Sequence, residues 1–220
     1  MTRTTAACVG PFAVFVALMA LLPLLGVDTA VGYPVQSVAA LAVWWLLSRR
    51  LFPWRPVRPI ASALLGMAIF VVWVAPDALW PGYRSHWLFE NTLTGSARSS
   101  IEASSRSDPA FLAFRVFGSV VVVPLIEELF WRGWLMRWLA GGALEQMPVG
   151  TYSPRAFWLT AILFGLEHGP YWDVGLVAGV AYNWWVVKAR SLADCILAHG
   201  VTNACLAAYV LASGKWSYWL

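Results

Sequence analysis

Charge is what this sequence has least of. Of its 220 residues, 12% are Asp, Glu, Lys or Arg, while 60% are hydrophobic. A soluble domain carries about 25% charged and about 45–50% apolar residues. The composition therefore excludes an ordinary water-soluble globule and points to lipid as the solvent. Cysteine is scarce as well. Cys8, Cys195 and Cys205 show no paired spacing, which excludes a zinc-finger or disulfide framework and leaves them as small buried apolar side chains. The net charge of +4 is not gathered on one soluble face, because the basic residues fall between apolar segments. A nucleic-acid partner is excluded on that ground. The sequence also lacks an internal repeat, which removes a common signature of secondary transporters.

Tryptophan, by contrast, is abundant. Fifteen in one small chain suit a membrane interface, where the ring is half buried and its N–H stays wet. Seven apolar segments can be marked, at about 6–27, 33–48, 60–80, 110–139, 155–169, 171–187 and 191–213. The fold class expected is all-α, a polytopic transmembrane bundle of about seven helices with any active site inside the membrane. Residues 1–109 supply the N-terminal helices and a polar loop, and residues 110–220 form the bundle that carries the chemistry, the two making one integral domain. The first segment follows Arg3 as the core of a leader would. No small-residue cleavage site follows it, so it is expected to remain as a helix. The segment ending at Gly169-Pro170 is short and is expected to stop part-way through the bilayer.

Loop charges set an expected orientation. Arg49, Arg50, Arg55 and Arg58 crowd one connection. Placing it in the cytoplasm puts nine basic residues inside and four outside, with Arg115 and Arg132 within the fourth segment. The N-terminus is then cytoplasmic. The longest connection, 82–109, is outer and Ser-rich. It reads first as a mobile connector and second as a lid or substrate contact.

A few polar residues stand inside these segments against a cost of about 2.5–3.5 kcal/mol for each charge. The fourth segment holds Glu127, Glu128 and Arg132, the fifth ends in Phe164-Gly-Leu-Glu167-His168, and the seventh carries His199-Gly-Val-Thr-Asn203. Glu128 and Arg132 are four apart, share a helix face and can pair. Glu127 lies about 100° around the helix and is left for another role. His199 and Asn203 also project from one face. At 1.5 Å per residue, Glu127 lies about 18 Å from Leu139, His168 about 18 Å from Ala156 and Asn203 about 16 Å from Leu192. Antiparallel alternation thus brings Glu127, His168 and Asn203 to one depth. Glu167 is a further acid that either orients the neighbouring imidazole or faces a water-filled vestibule. His86 reads as an ordinary exposed loop residue.

Glu127-Glu128-x-x-x-Arg132, Phe164-x-x-x-His168 and His199-x-x-x-Asn203 resemble, in order and spacing, the three motifs of the CAAX prenyl protease 2 (Rce1-type) and CPBP (Abi) intramembrane glutamic endopeptidases. The wording of the second motif resembles the bacterial exosortase-associated, CAAX protease-related subgroup. The resemblance covers about residues 120–210. It implies a membrane-embedded protease in which Glu127 activates a water, His168 shares that water and moves protons, and His199 and Asn203 stabilise the oxyanion. Glu128, Arg132 and Phe164 would support the site. It also implies membrane lipid and a membrane-associated peptide or protein as partners, a link to protein-sorting machinery, and residence in a bacterial plasma membrane. No cofactor is expected. Two readings compete with this one. In a zinc protease, Glu127, His168 and His199 would be ligands, although no His-Glu-x-x-His is present. In a non-catalytic scaffold or immunity-type protein, the polar cluster would only lock helices together.

Overall fold

The chain enters its first helix at a threonine. In the computed structural model, which describes residues 2–219, the Thr2 side chain accepts the Thr5 N–H at 3.3 Å and starts α1 (Arg3–Leu24). Asp28 does the same for α2 (Thr29–Leu47), its Oδ1 2.6 Å from Ala30 N. Pro59 opens α3 (Pro59–Leu79), where its missing N–H costs nothing. Asp108 Oδ1 accepts the Ala110 and Phe111 N–H groups and Pro109 again leads, so α4 (Pro109–Ala140) starts cleanly. Then follow α5 (Pro154–Glu167), α6 (Trp172–Ala189) and α7 (Leu192–Ser213). No β-strand is formed among the described residues.

The seven segments expected from hydropathy are these seven helices. Five of them, α1 to α4 and α7, are long and apolar enough to cross a membrane. Their outward faces carry large exposed apolar side chains, such as Leu46, Ile60, Val71 and Leu211, which a lipid solvent explains. The fourteen-residue α5 reaches only about 21 Å, short of the hydrocarbon thickness of about 30 Å. It stops at His168 because Gly169 takes φ +54°, a left-handed conformation open to glycine, and Pro170 follows. One tight turn then reverses the chain into α6.

α4 packs against α1, α2, α5 and α7, while α3 lies along α7 and α6. The α3–α7 seam is close. A Cβ at Gly66 would overlap the Ala198 carbonyl and lie 2.8 Å from Val201 Cβ. Thr202 Oγ1 donates to the Gly66 carbonyl at 2.9 Å. Gly66→Ala is therefore expected to destabilise the protein by about 1–3 kcal/mol, as overpacking does. A thermal melt of the purified variant checks this, and an unchanged midpoint would mean that α3 does not seat on α7.

Asp194, fully buried in the first turn of α7, fastens the other end of α3. Its carboxylate accepts the Val57 and Arg58 N–H groups at 2.6 and 2.7 Å and the Ser62 hydroxyl at 2.9 Å. It thereby caps a helix N-terminus from a distant part of the chain.

The 82–108 connection corrects an expectation. It is not a loose connector but is folded over one end of the bundle. Phe89 and Ile101 are buried. Arg84 pairs with Asp77 and Asp173, donates to the Pro170 carbonyl, and lies over the Tyr171 ring at 4.5 Å. Trp172 Nε1 donates to the Leu88 carbonyl, and Ser100 N–H donates to the Trp219 carbonyl. A Ser-rich composition conceals this, because the anchoring depends on a few residues that meet partners far away in sequence.

Candidate active site

The first polar group to settle is Glu128, which has no exposed surface. Its Oε1 accepts Arg132 Nη1 and His199 Nδ1, each at 2.9 Å, and its Oε2 accepts the Cys195 thiol at 3.1 Å. Arg132 is equally enclosed. Its Nε donates to Asn183 Oδ1 at 2.8 Å and its Nη2 to the Gly179 carbonyl at 3.3 Å. Its guanidinium lies 4.4 Å from the centre of the Phe164 ring. Asn183 in turn donates to the Phe157 carbonyl at 2.8 Å. This network ties α4, α5, α6 and α7 together. The expected Glu128–Arg132 pair is present, with two more donors than the sequence indicated.

Breaks in helical hydrogen bonding position the remaining groups. At the end of α5 the His168 N–H turns to the Gly165 carbonyl, three residues back. The Phe164 carbonyl thereby loses its usual donor, and His168 Nδ1 takes that place at 2.7 Å. A carbonyl only accepts, so Nδ1 carries the proton and Nε2 of the neutral ring keeps its lone pair. This gives the four-residue spacing of Phe164 and His168 its physical reason. The Phe164 ring also packs 4.7 Å from the His168 ring, and Trp73 meets the same imidazole edge-on at 5.2 Å.

A second break lies in α4, where Gly118–Val122 and Leu129–Leu135 adopt wider π-type turns on either side of the two glutamates. The Val123 N–H bonds the Gly118 carbonyl, five residues back. The next residue, Pro124, has no N–H. The Ser119 carbonyl is thus left without a helical donor, and Asn203 Nδ2 supplies one at 2.8 Å. The Asn203 amide is held by this bond and retains a second N–H. His199, 4% exposed, is fixed by Glu128 on one edge and stacks 5.0 Å from Tyr182 on its face. Tyr182 donates to Thr202 Oγ1 at 2.8 Å.

These groups converge on a cavity of about 500 Å³. Glu127, Phe164, His168, His199 and Asn203 all line it, and so does Glu167. Glu128 and Arg132 stand behind the wall. Glu127 Oε2 is buried with no hydrogen-bond partner among the described residues. Apolar side chains of α1 and the turn after it, among them Phe15, Met19, Leu22 and Val27, also line the cavity, as do Gln36 and Arg115. Among the described residues, no group of three His, Cys, Asp or Glu side chains is placed to hold a metal ion.

Sequence reading missed several supporting residues. Asn183, Cys195, Tyr182 and Thr202 hold the catalytic candidates, and Trp73 walls His168. Asn183 had a signal, since a lone amide in an apolar stretch needs partners. Asp194 had the same signal. Cys195 and Trp73 had none, because each suits a membrane helix without any further role.

Residues 109–205 match the family of type II CAAX prenyl endopeptidases described as Rce1-like. No curated protein matches the chain. No solved structure does either. The matched stretch runs from the start of α4 into α7 and contains every candidate site residue. That match supports a CAAX-type protease family for this stretch, which is under half of the chain.

Proposed function

We propose that the protein hydrolyses a peptide bond of a membrane-associated protein or peptide, using a water activated jointly by Glu127 and His168. The observation that supports this best is one cavity lined by two residues with unspent proton acceptors, Glu127 Oε2 and His168 Nε2. Glu127 takes a proton from water as the oxygen attacks the scissile carbonyl. His168, with its tautomer fixed, steadies that water through Nε2 and relays the proton from the Glu127 carboxyl to the departing amine, so both residues end as they began, one water is consumed, and a carboxylic acid and an amine are formed. Asn203 offers its remaining N–H to the oxyanion. His199 Nδ1–H is spent on Glu128, so its Nε2 donates to the oxyanion only when the ring carries both protons. The apolar side chains of the cavity receive the hydrophobic portion of the substrate. A low-dielectric site makes each preorganised donor effective.

The test uses purified chain in detergent, a pool of peptides extracted from membranes, and mass spectrometry of the products. Asn203→Ala is expected to cut about 10²–10³-fold more slowly than wild type, as for loss of one oxyanion donor. Wild type should keep its rate in chelator. One stoichiometric zinc per wild-type chain, lost in His168→Ala, would replace the water-activation mechanism with a metal mechanism. Failure of wild type to cut any peptide would leave a scaffold.

We further assign the chain to a bacterial plasma membrane, with the arginine-rich 49–58 connection on the cytoplasmic side and a protein-sorting system as the source of substrate. Cysteines introduced singly at 49–58 should label from inside and those at 98–106 from outside. The reverse pattern would overturn the orientation.

A further inference from the structure

The mechanism above leaves Glu167 unused. It is the last residue of α5, next to His168, and lines the same cavity as Glu127. It is exposed although Phe164 and Gly165 before it are buried, which places it at the rim. Its Oε2 accepts the Trp131 indole N–H at 3.1 Å. Trp131 is itself buried and held by Phe130 and Phe164, whose rings meet it edge-on at 4.9 and 5.8 Å. The carboxylate is therefore aimed rather than free to swing. Its known donor is neutral. The Arg84 guanidinium pairs with Asp77 and Asp173 and that of Arg132 with Glu128, so neither is directed to Glu167. Arg132 is spent on Glu128 and Asn183 behind the cavity wall, so Glu167 has no ion pair of its own among the described residues.

A carboxylate at membrane depth persists when a partner offsets its cost. The partner missing here is a cation. A cation entering from the rim would pair with that carboxylate.

We infer that Glu167 is a specificity-determining residue that receives a lysine or arginine side chain of the substrate next to the scissile bond. This rests on the proteolytic reading given above. Glu167→Gln is the informative substitution, because the amide oxygen still accepts from Trp131 while the charge is gone.

Two measurements on the purified full chain test it. The first is cleavage of a library of N-palmitoylated decapeptides in which each position carries lysine, norleucine or glutamate. Wild type is expected to favour lysine over norleucine beside the cut by roughly 10–100-fold in kcat/KM, the range for a hydrogen bond to a charged group. In Glu167→Gln that ratio should fall to about one, and in Glu167→Lys glutamate should become the favoured residue. A ratio that is the same in wild type and Glu167→Gln would overturn the assignment while the protease reading stands. The second measurement needs no turnover. The fluorescence of p-aminobenzamidine should rise on binding to wild type and to Glu127→Gln, and the rise should be lost in Glu167→Gln. Binding that survives in Glu167→Gln, or fails in wild type, sinks the cationic subsite. A library left uncut by wild type, with p-aminobenzamidine still bound through Glu167, would sink the protease reading and the specificity role while leaving a cation site.

Discussion

Glu127→Gln should lower the rate of peptide hydrolysis by about 10²–10⁴-fold, the usual contribution of a positioned general base, and leave the fold intact. The reason for the second half is geometric. Glu127 Oε2 makes no hydrogen bond among the described residues, and no described ion pair includes this residue. An amide of the same shape removes the proton acceptor without orphaning a donor. Glu128→Gln is the contrasting control. It leaves the Arg132 guanidinium buried beside a neutral partner and is expected to lower stability. The readouts are kcat/KM on a cleaved peptide and the melting midpoint of each variant. A Glu127→Gln protein that cuts at the wild-type rate would remove Glu127 from the chemistry.

The largest stability effect is expected from Arg132→Ala. Breaking a buried ion pair costs about 3–5 kcal/mol, and for a chain of this size that is a fall of roughly 6–20 °C in melting midpoint. Here the loss is distributed. Asn183 Oδ1 and the Gly179 carbonyl each lose a donor, Glu128 keeps only His199 and Cys195, and the space beside the Phe164 and Tyr182 rings empties. Glu128→Gln/Arg132→Met should recover part of the loss, because it removes the unpaired carboxylate and refills the volume. A single variant that melts like wild type would show that the pair contributes nothing to the fold.

Much of this was readable from the chain, for definite reasons. Helices in lipid satisfy their own backbone and must be apolar, so all seven left a mark in composition. The stop of α5 was readable because Gly169-Pro170 permits little else. The polar residues that line or back the cavity stood out in the sequence because each is costly in a bilayer. The π-type turns of α4 were not, since no residue pattern announces a change from four-residue to five-residue hydrogen bonding. The lock on His199 was hidden for a related reason. Spacing pairs Glu128 with Arg132 on one helix, but cannot show that a histidine seventy-one positions later shares the same oxygen. The folded 82–108 segment was hidden because Arg84, Phe89 and Ile101 look like any loop residues until their partners arrive.

The Ser119–Asn203 bond carries a further consequence. Pro124 creates the vacancy that the Asn203 side chain fills, so a residue on one helix dictates the conformation of an amide on another by withholding a hydrogen. An alanine at 124 would return that N–H to the backbone of α4 and set main chain and side chain in competition for one carbonyl. Wherever the main chain won, Asn203 would turn loose in the cavity. Its orientation is therefore encoded three helices earlier in the chain, in the chemistry of an imino acid, and not in the residues that surround it.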